Sequence, residues 1–471
     1  MKDFKNLKIT YVGGGSRGWA TNLIIDLAKE PLLCGTVHLY DIDVESAKKN
    51  AIIGNSLKDR DDVKSKWNYV VETDVEKALK GADFVIMSIL PGTFDEMQSD
   101  VHTPEKYGIW QSVGDTVGPG GIVRALRTVP IYREYARLIK KCCPNAYVIN
   151  FTNPMTMCVR ALYKEFPQIK AFGCCHEVFS SQKLFAKILK EKRGIDVARN
   201  DIKVNVLGIN HFTWLDKVTY NGEDLIPLYK EYAENHPEGL TEGRDMNWAN
   251  GMFSCTHQVK FDLFRRYGAV AAAGDRHLAE FCPGNWYLKN PQTVEKWGFG
   301  LTTVDWRKNI DLVDRIDKQN KRASGQEILE LRDTGEESVH QIKALLGLGD
   351  MITNVNIPNY GQSVGLPMDA VVETNAHFGA EGIRPVFAGK LPQMAHSLVE
   401  RVVNIQEEVV SGIFEDDYEK VFRAFIQDAN VCIGIEDARK LFDEMLENTK
   451  KYLPENAYNK YLEGRKNSNM R

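Results

Sequence analysis

From Leu7 to Gly194 the chain alternates strand patterns with helix patterns, and few architectures accept that order. "LKITYVGGG" reads as a buried strand, and "TNLIIDLAKEP" after it carries Leu23, Ile24 and Leu27 at helical spacing. "TVHLYDID" and "DVESAKKNAIIGNSLKD" repeat the pair, and "ADFVIMSIL" is the near-continuous apolar run of a parallel strand covered on both faces. A long helix over "GIVRALRTVPIYREYARLIKKCCP", with Pro130 as a point where it could bend, leads to the strand "AYVINF". A helix over "MTMCVRALYKEF", a strand "KAFGCC" and a helix over "SSQKLFAKILKEKRG" complete the series. The fold class this predicts is α/β, with an N-terminal Rossmann-type, doubly wound parallel sheet.

From Asp201 the texture changes. "DIKVNVLGINHFTWLDKVTYNGEDL" gives strands with a hairpin turn at Asn221-Gly222, and long helical stretches such as "AHSLVERVVNIQEEVVSGI" follow. The expected units are residues 1–200 and 201–471. No Pro/Ser-rich linker separates them, so the junction is tight, and a tight junction is a common place for a site.

Composition excludes some partners. The 60 basic residues are balanced by 64 acidic ones spread along the chain, which leaves no basic footprint for nucleic acid or a membrane surface. No run approaches the roughly 18 apolar residues that a membrane span needs. The N-terminus runs from charges straight into a strand without the apolar core of a signal peptide, so a cytoplasmic protein is expected. Nine cysteines, thinly spread apart from Cys142-Cys143 and Cys174-Cys175, suit thiols or ligands better than a disulfide framework.

The turn "YVGGGSRGW" holds Gly13, Gly15 and Gly18 in G-x-G-x-x-G spacing between a strand and a helix. Glycines permit the tight turn and let the backbone approach a pyrophosphate seated on the helix N-terminus. The next strand ends in Asp41 and Asp43, where a carboxylate would bind ribose hydroxyls and disfavour a 2′-phosphate. NAD is therefore the expected cofactor, held by Gly13, Gly14, Gly15, Ser16, Arg17, Gly18 and Asp41, with Ser88 at the end of a neighbouring strand. A structural turn with a helix-capping Asp41 is the plainer alternative.

Ligands of open α/β sheets bind outside the carboxyl ends of the strands. Each expected strand end carries chemistry: Ser88 in "SILPG", Asn153 in "NFTNP", Cys175, His176 and Glu177 in "GCCHEV", Asn210 and His211 in "GINHF". A thiolate at Cys175 and a neutral His211 imidazole suit a divalent transition metal, and so small a ligand set implies an open site completed by substrate and water. Cys174 is expected to be buried, pointing opposite to Cys175. His176 could shuttle a proton or cap the next helix. "GDRHLAEF" groups Asp275, Arg276, His277 and Glu280, ordinarily a solvated helix start. Asp115 lies in a glycine-rich loop, either shaped around a ligand or a flexible lid.

As an ordered set, "VGGGS", "DTVGPGGIVRALR", "NFTNPM", "CCHEV", "INHF" and "GDRHLAE" resemble the family 4 glycoside hydrolases, over roughly residues 8 to 290. The resemblance implies an NAD- and metal-dependent glycosidase, with Mn²⁺ expected. It also implies a Rossmann NAD-binding domain over 1–200 and, over 201–471, a mixed α/β domain resembling that of lactate and malate dehydrogenases and completing the substrate and metal site. The implied reaction oxidises C3 of the sugar, removes the C2 proton, eliminates the leaving group, adds water and returns the hydride. Matching motifs make Cys175 and His211 metal ligands and Asn153 a substrate contact, and put His176 at the proton donor's position. Asp275 becomes the candidate C2 base, unless a tyrosine serves as in some relatives, and Asp115 a hydroxyl-binding residue. "CHEV" resembles the α-galacturonidase subgroup acting on pectin-derived uronides, whose carboxylate would want an Arg such as Arg276 or Arg124. An α-glucuronidase, an α-galactosidase, a simple NAD-dependent dehydrogenase and an NAD-sensing protein are the alternatives. A homo-oligomer, dimer or tetramer, is the family's expectation.

Overall fold

In the computed structural model, which describes residues 4–240 and 254–468, the N-terminal alternation becomes one continuous sheet. Its parallel strands are β1 (Leu7–Val12), β2 (Gly35–Tyr40), β3 (Asn68–Glu72), β4 (Phe84–Met87), β5 (Tyr147–Asn150) and β6 (Lys170–Gly173), in the order β3-β2-β1-β4-β5-β6. That is the doubly wound order, whose reversal beside β1 opens a crevice at the carboxyl edge. The first helices are α1 (Trp19–Lys29), α2 (Val44–Ser56), α3 (Val75–Leu79), α4 (Phe94–His102), α5 (Gly118–Cys142), α6 (Met155–Glu165) and α7 (Glu177–Arg193). Pro130 lies inside α5, which continues through it to Cys142.

Strand β4 shows why the apolar runs are continuous. Val85 and Met87 pack into one core with Val123, Leu126 and Val129 of α5, whereas Phe84 and Ile86 enter a second core with Leu23 and Ile24 of α1. Every residue of β4 is buried because both faces of the sheet are covered. Each such side chain contributes about 1.5–3 kcal/mol, so a charge anywhere in β4 would be costly.

The second half builds a smaller sheet and also returns to the first. Strands β7 (Lys203–Ile209), β8 (Phe212–Tyr220), β9 (Glu223–Asp224) and β10 (Val270–Ala271) form the smaller sheet. Asn221 and Gly222 turn between β8 and β9 with φ of 48° and 83°, as a tight hairpin requires. Strands β11 (Met351–Pro358), β12 (Val371–Gly379) and β13 (Gly382–Pro385) then extend the first sheet beyond β6, where Asn356 pairs antiparallel with Gly173. The side chain of Asn375 on β12 donates to the Val204 carbonyl of β7 at 2.6 Å and ties the two sheets together. Among the described residues, no helix is long and apolar enough to cross a membrane.

Candidate active site

The parallel strands all end at one edge, and the chemistry read from the sequence collects there. After β1, Gly13 adopts φ +93°, and a Cβ on it would lie 1.9 Å from the Ser88 carbonyl oxygen that follows β4. Only glycine lets the turn pass that close. Asn50 of α2 donates to the Gly14 and Ser16 carbonyls at 2.8 and 3.0 Å, and Ser46 donates to that of Gly15 at 2.6 Å. Gln319, far along the chain, braces Asn50 at 2.8 Å. Helix α1 then starts at Gly18 with no side-chain cap and no acid in its first turn. The Gly13 and Gly14 amides are taken by the Tyr40 carbonyl, so it is the positive dipole end of α1, without an acid in its first turn, that fits a diphosphate and suits the turn to a dinucleotide.

Asp41 stands at the end of β2, where its oxygens accept the Gly15 and Asp43 amides at 2.7 and 2.8 Å. Arg17 pairs with Asp43 at 3.0 Å and Asp311 at 3.2 Å. Trp19 stacks on Phe151 at 5.2 Å and lies 6.2 Å from the His176 ring, so the dinucleotide turn and the ends of β5 and β6 are neighbours.

The central cluster is built on Asp115. Thr116 donates its hydroxyl hydrogen to Asp115 at 2.8 Å, and Asn153 donates to the same carboxylate at 3.3 Å. Arg124 donates to the Asn153 carbonyl at 3.1 Å. Burial opposes ionisation of Asp115, but the charges of Arg124, His211 and His277 outweigh it and hold its pKa at about 2. Thr116 Oγ1 is 3.3 Å from His211 Nδ1. Because the only hydroxyl hydrogen goes to Asp115, Nδ1 must donate, which leaves Nε2 of His211 with its lone pair.

His211 sits at the tip of the β7–β8 hairpin, stacked on His277 at 4.2 Å. His277 Nδ1 faces Glu177 at 3.3 Å, and Glu177 also accepts the Gly274 amide at 2.8 Å. Burial alone would lower His277, but the Glu177 carboxylate raises it. Asn210, beside His211, donates to Glu373 of β12 at 3.1 Å. Asn354 of β11 donates to Glu373 at 2.6 Å and to the Cys175 carbonyl at 3.0 Å. Burial and the nearby Glu373 charge push the pKa of the Cys175 thiol up. Thus Cys175 and His211 share the frame of Asn210, Glu373 and Asn354. The acceptor oxygens of Asn153 and Asn210 are buried without a partner.

A thiol, an imidazole nitrogen and unsatisfied amide oxygens are a donor set that fits a divalent transition metal. Among the described residues no three His, Cys, Asp or Glu side chains are grouped for one.

Several residues sit differently from the sequence reading. Strand β6 ends at Gly173, so Cys174 and Cys175 follow it rather than close it. Cys174 is only half-buried, with its thiol on Gln341 at 3.0 Å. His176 occupies the N-cap position of α7 without a side-chain cap bond, 55% exposed, with Nδ1 3.8 Å from Glu336. The helix Asp275–Phe281 is no solvated start: Asp275 is 0% and Glu280 2% exposed. Asp275 Oδ1 accepts the Lys260 amide at 3.1 Å at the start of the helix Gln258–Tyr267, while its Oδ2 is buried without a partner. Burial, offset by the Lys260 amide bond, raises Asp275 to about 6.

Arg276 donates to the Ser112 carbonyl and to Thr302 at 2.7 Å, and Glu280 accepts the Val113 and Gly114 amides at 2.7 and 2.9 Å. The Asp115 loop is therefore held from behind. Thr116, Glu373 and Asn354 were not singled out in the sequence, and Glu177 and His277 were named there without a role at the site.

A cavity of about 630 Å³ lined by Lys183, Arg199, Glu336 and His340 adjoins the site through Glu336, the neighbour of His176. Its Arg199 is already paired with Glu337 at 2.7 Å.

The chain matches the model of family 4 glycosyl hydrolases over residues 8–191 and that of the C-terminal domain of the same family over residues 206–431. An α-galacturonidase of Thermoanaerobacterium saccharolyticum is 59% identical over 95% of this chain and 97% of its own length. A solved Bacillus subtilis structure described as a glucosidase is 47% identical and superposes with a TM-score of 0.88, over 94% of this chain and 100% of the other. A 6-phospho-α-glucosidase from gut microorganisms, solved with NAD and Mn²⁺, shares the fold at 22% identity with a TM-score of 0.76, over 96% and 100% of the two chains.

Proposed function

This chain belongs to the family 4 glycosyl hydrolases, and on that premise we propose that it is an NAD- and Mn²⁺-dependent α-galacturonidase of small α-linked uronides. The observation that carries the reading is the meeting of Cys175, the Asp115–Thr116–His211 chain and Asn153 beside the Gly13–Gly18 turn. When bound, the dinucleotide would accept and return a hydride while the metal polarises the sugar oxygens.

The chain's own residues do the rest. Cys175 and His211 Nε2 would hold the metal, with the His211 ring oriented by Thr116. Asp115, ionised, and the unpartnered Asn153 oxygen would receive sugar hydroxyls. His176, half-exposed beside Trp19, would move a proton at the leaving oxygen. Asp275 would act as base through its unpartnered Oδ2, its raised pKa suiting proton abstraction near neutrality while Oδ1 anchors its helix. Arg276 would add positive charge to the substrate side. Residues 1–200 would supply the dinucleotide turn with Asp41 and Ser88, and residues 201–471 would complete the site. A cytoplasmic location, supported by free thiols throughout the chain, and a homo-oligomeric state are part of the proposal.

The test is release of sugar from α-galacturonides, α-glucuronides and α-galactosides with and without NAD⁺, in Mn²⁺ and reductant. Galacturonate release that needs NAD⁺ yet accumulates no NADH is expected. Stoichiometric NADH without glycoside cleavage would refute the hydrolase.

A further inference from the structure

The arginines that the sequence offered for a substrate carboxylate both have partners. Arg124 donates to the Asn153 carbonyl at 3.1 Å and faces Asp115, and Arg276 is bonded to Ser112 and Thr302. A further guanidinium belongs to an element joined to the same loop. Arg307 lies on the helix Val304–Asn309, whose start is fastened to the Asp115 loop: Thr302 donates to the Ser112 carbonyl at 2.8 Å. On the other side the Val304 amide donates to His102 at 3.4 Å, and Val304 packs with Met97 and Val101 of α4.

The charge of Arg307 is felt by both Arg124 and Arg276, whose pKa values burial and this field lower. Yet Arg307 is half-buried and, among the described residues, makes no side-chain hydrogen bond or ion pair. The nearby anions are engaged elsewhere: Asp115 with Thr116 and Asn153, Glu280 with the Val113 and Gly114 amides. Its helix neighbour Lys308 has Asp95 at 3.6 Å. Like charges gathered with one left unpaired are unfavourable until an anion arrives.

We propose that Arg307 receives the carboxylate of the sugar acid, while Arg276 and Arg124 add attraction without direct pairing. This rests on the galacturonidase reading above. A planar carboxylate matches the guanidinium fork, and a neutral galactose would leave the cations uncompensated, so the cluster selects uronides. The cofactor diphosphate is the other possible source of oxyanions, since Asp311 on the next turn reaches Arg17 of the glycine turn at 3.2 Å. The hydrogen bonds that join Thr302, just before the helix of Arg307, to Ser112 and Arg276 beside the Asp115 loop favour the sugar.

The experiment uses the holoenzyme with NAD⁺, Mn²⁺ and reductant, and compares wild type, Arg307→Met and Arg307→Lys. Hydrolysis of an α-galacturonide is followed, with calorimetric titration of galacturonate, galactose and NAD⁺ and a urea midpoint as the folding control. Arg307→Met should raise KM for the galacturonide and Kd for galacturonate by about 10- to 100-fold, as losing a charge-assisted pair does, with kcat, galactose and NAD⁺ nearly unchanged. Arg307→Lys should fall between, and it decides the matter if the Met variant does not fold. Equal losses for galacturonate and galactose, weakened NAD⁺ with galacturonate unaffected, or no change at all would each overturn the assignment. If wild type neither cleaves galacturonides nor binds galacturonate, the substrate reading itself fails.

Discussion

Replacing Glu280 by Gln should make the protein more stable as the pH rises, because this carboxyl is buried for its shape rather than its charge. Glu280 is 2% exposed, and one oxygen, Oε1, accepts both the Val113 and Gly114 amides, at 2.7 and 2.9 Å. Burial, only partly offset by those amides, pushes its pKa from 4.5 to about 7. The folded state thus holds a proton that the unfolded state has lost between those values. The stability this confers is complete below pH 4.5 and is lost as pH rises through 7.

The shift from 4.5 to about 7, at about 1.4 kcal/mol per pH unit, comes to about 3–4 kcal/mol when complete. Gln keeps an oxygen for both amides and has no proton to lose. Urea unfolding at pH 4, 6, 7 and 8 should therefore show wild type and Glu280→Gln nearly equal at pH 4, with the variant ahead by up to about 3 kcal/mol at pH 8. Glu280→Ala, which strands two buried amides, should lose about 1–3 kcal/mol per amide at every pH. A difference between Gln and wild type that does not change with pH, or a Gln variant less stable at pH 8, would refute the reasoning and show Glu280 working as an anion.

The other expectations concern the frame around the site. Arg127 and Asp100 form a fully buried pair, and Arg127 also donates to the Pro91 carbonyl at 3.0 Å. Arg127→Met should cost about 3–5 kcal/mol in urea unfolding, and adding Asp100→Leu should recover much of it, since the stranded charge causes the loss. Gly13→Ala must place its Cβ against the Ser88 carbonyl in a left-handed conformation. Calorimetry should find NAD⁺ binding weakened at least about tenfold, matching about 1–2 kcal/mol of backbone strain alone. Unchanged affinity would show that the turn relaxes. Thr116→Val removes the group that orients His211 Nδ1, and Mn²⁺ affinity should fall about 10- to 100-fold by titration. An unaltered affinity would remove His211 from the metal's ligands.

The parts of the site that were legible in the sequence were those written in local pattern. Gly13 to Gly15 could be read because a tight turn after a strand leaves no room for a Cβ, and Asn153 and Cys175 because they closely follow apolar strands. Their grouping followed from the shared direction of parallel strands. What was hidden depends on residues far apart in the chain. Glu373 looks like one acid in a strand, yet it holds Asn210 and Asn354 and through them the positions of His211 and Cys175. His277 and Glu280 look like the solvated start of a helix, but both are turned onto partners from other segments. Asp275 was read as a candidate base, yet it anchors a helix amide, a duty that no spacing reveals.

By itself the sequence determined most of the alternation of strands and helices and the glycine turn after β1, because periodicity and glycine spacing act over a few residues. Only the tertiary structure decided that β11 to β13 return to flank β6, that the β7–β8 hairpin brings His211 to the sheet edge, and that the helix carrying Arg307 starts from the Asp115 loop. Those placements come from burial and hydrogen bonding between segments more than a hundred residues apart, as between Asn210 and Glu373. Such contacts leave no local trace.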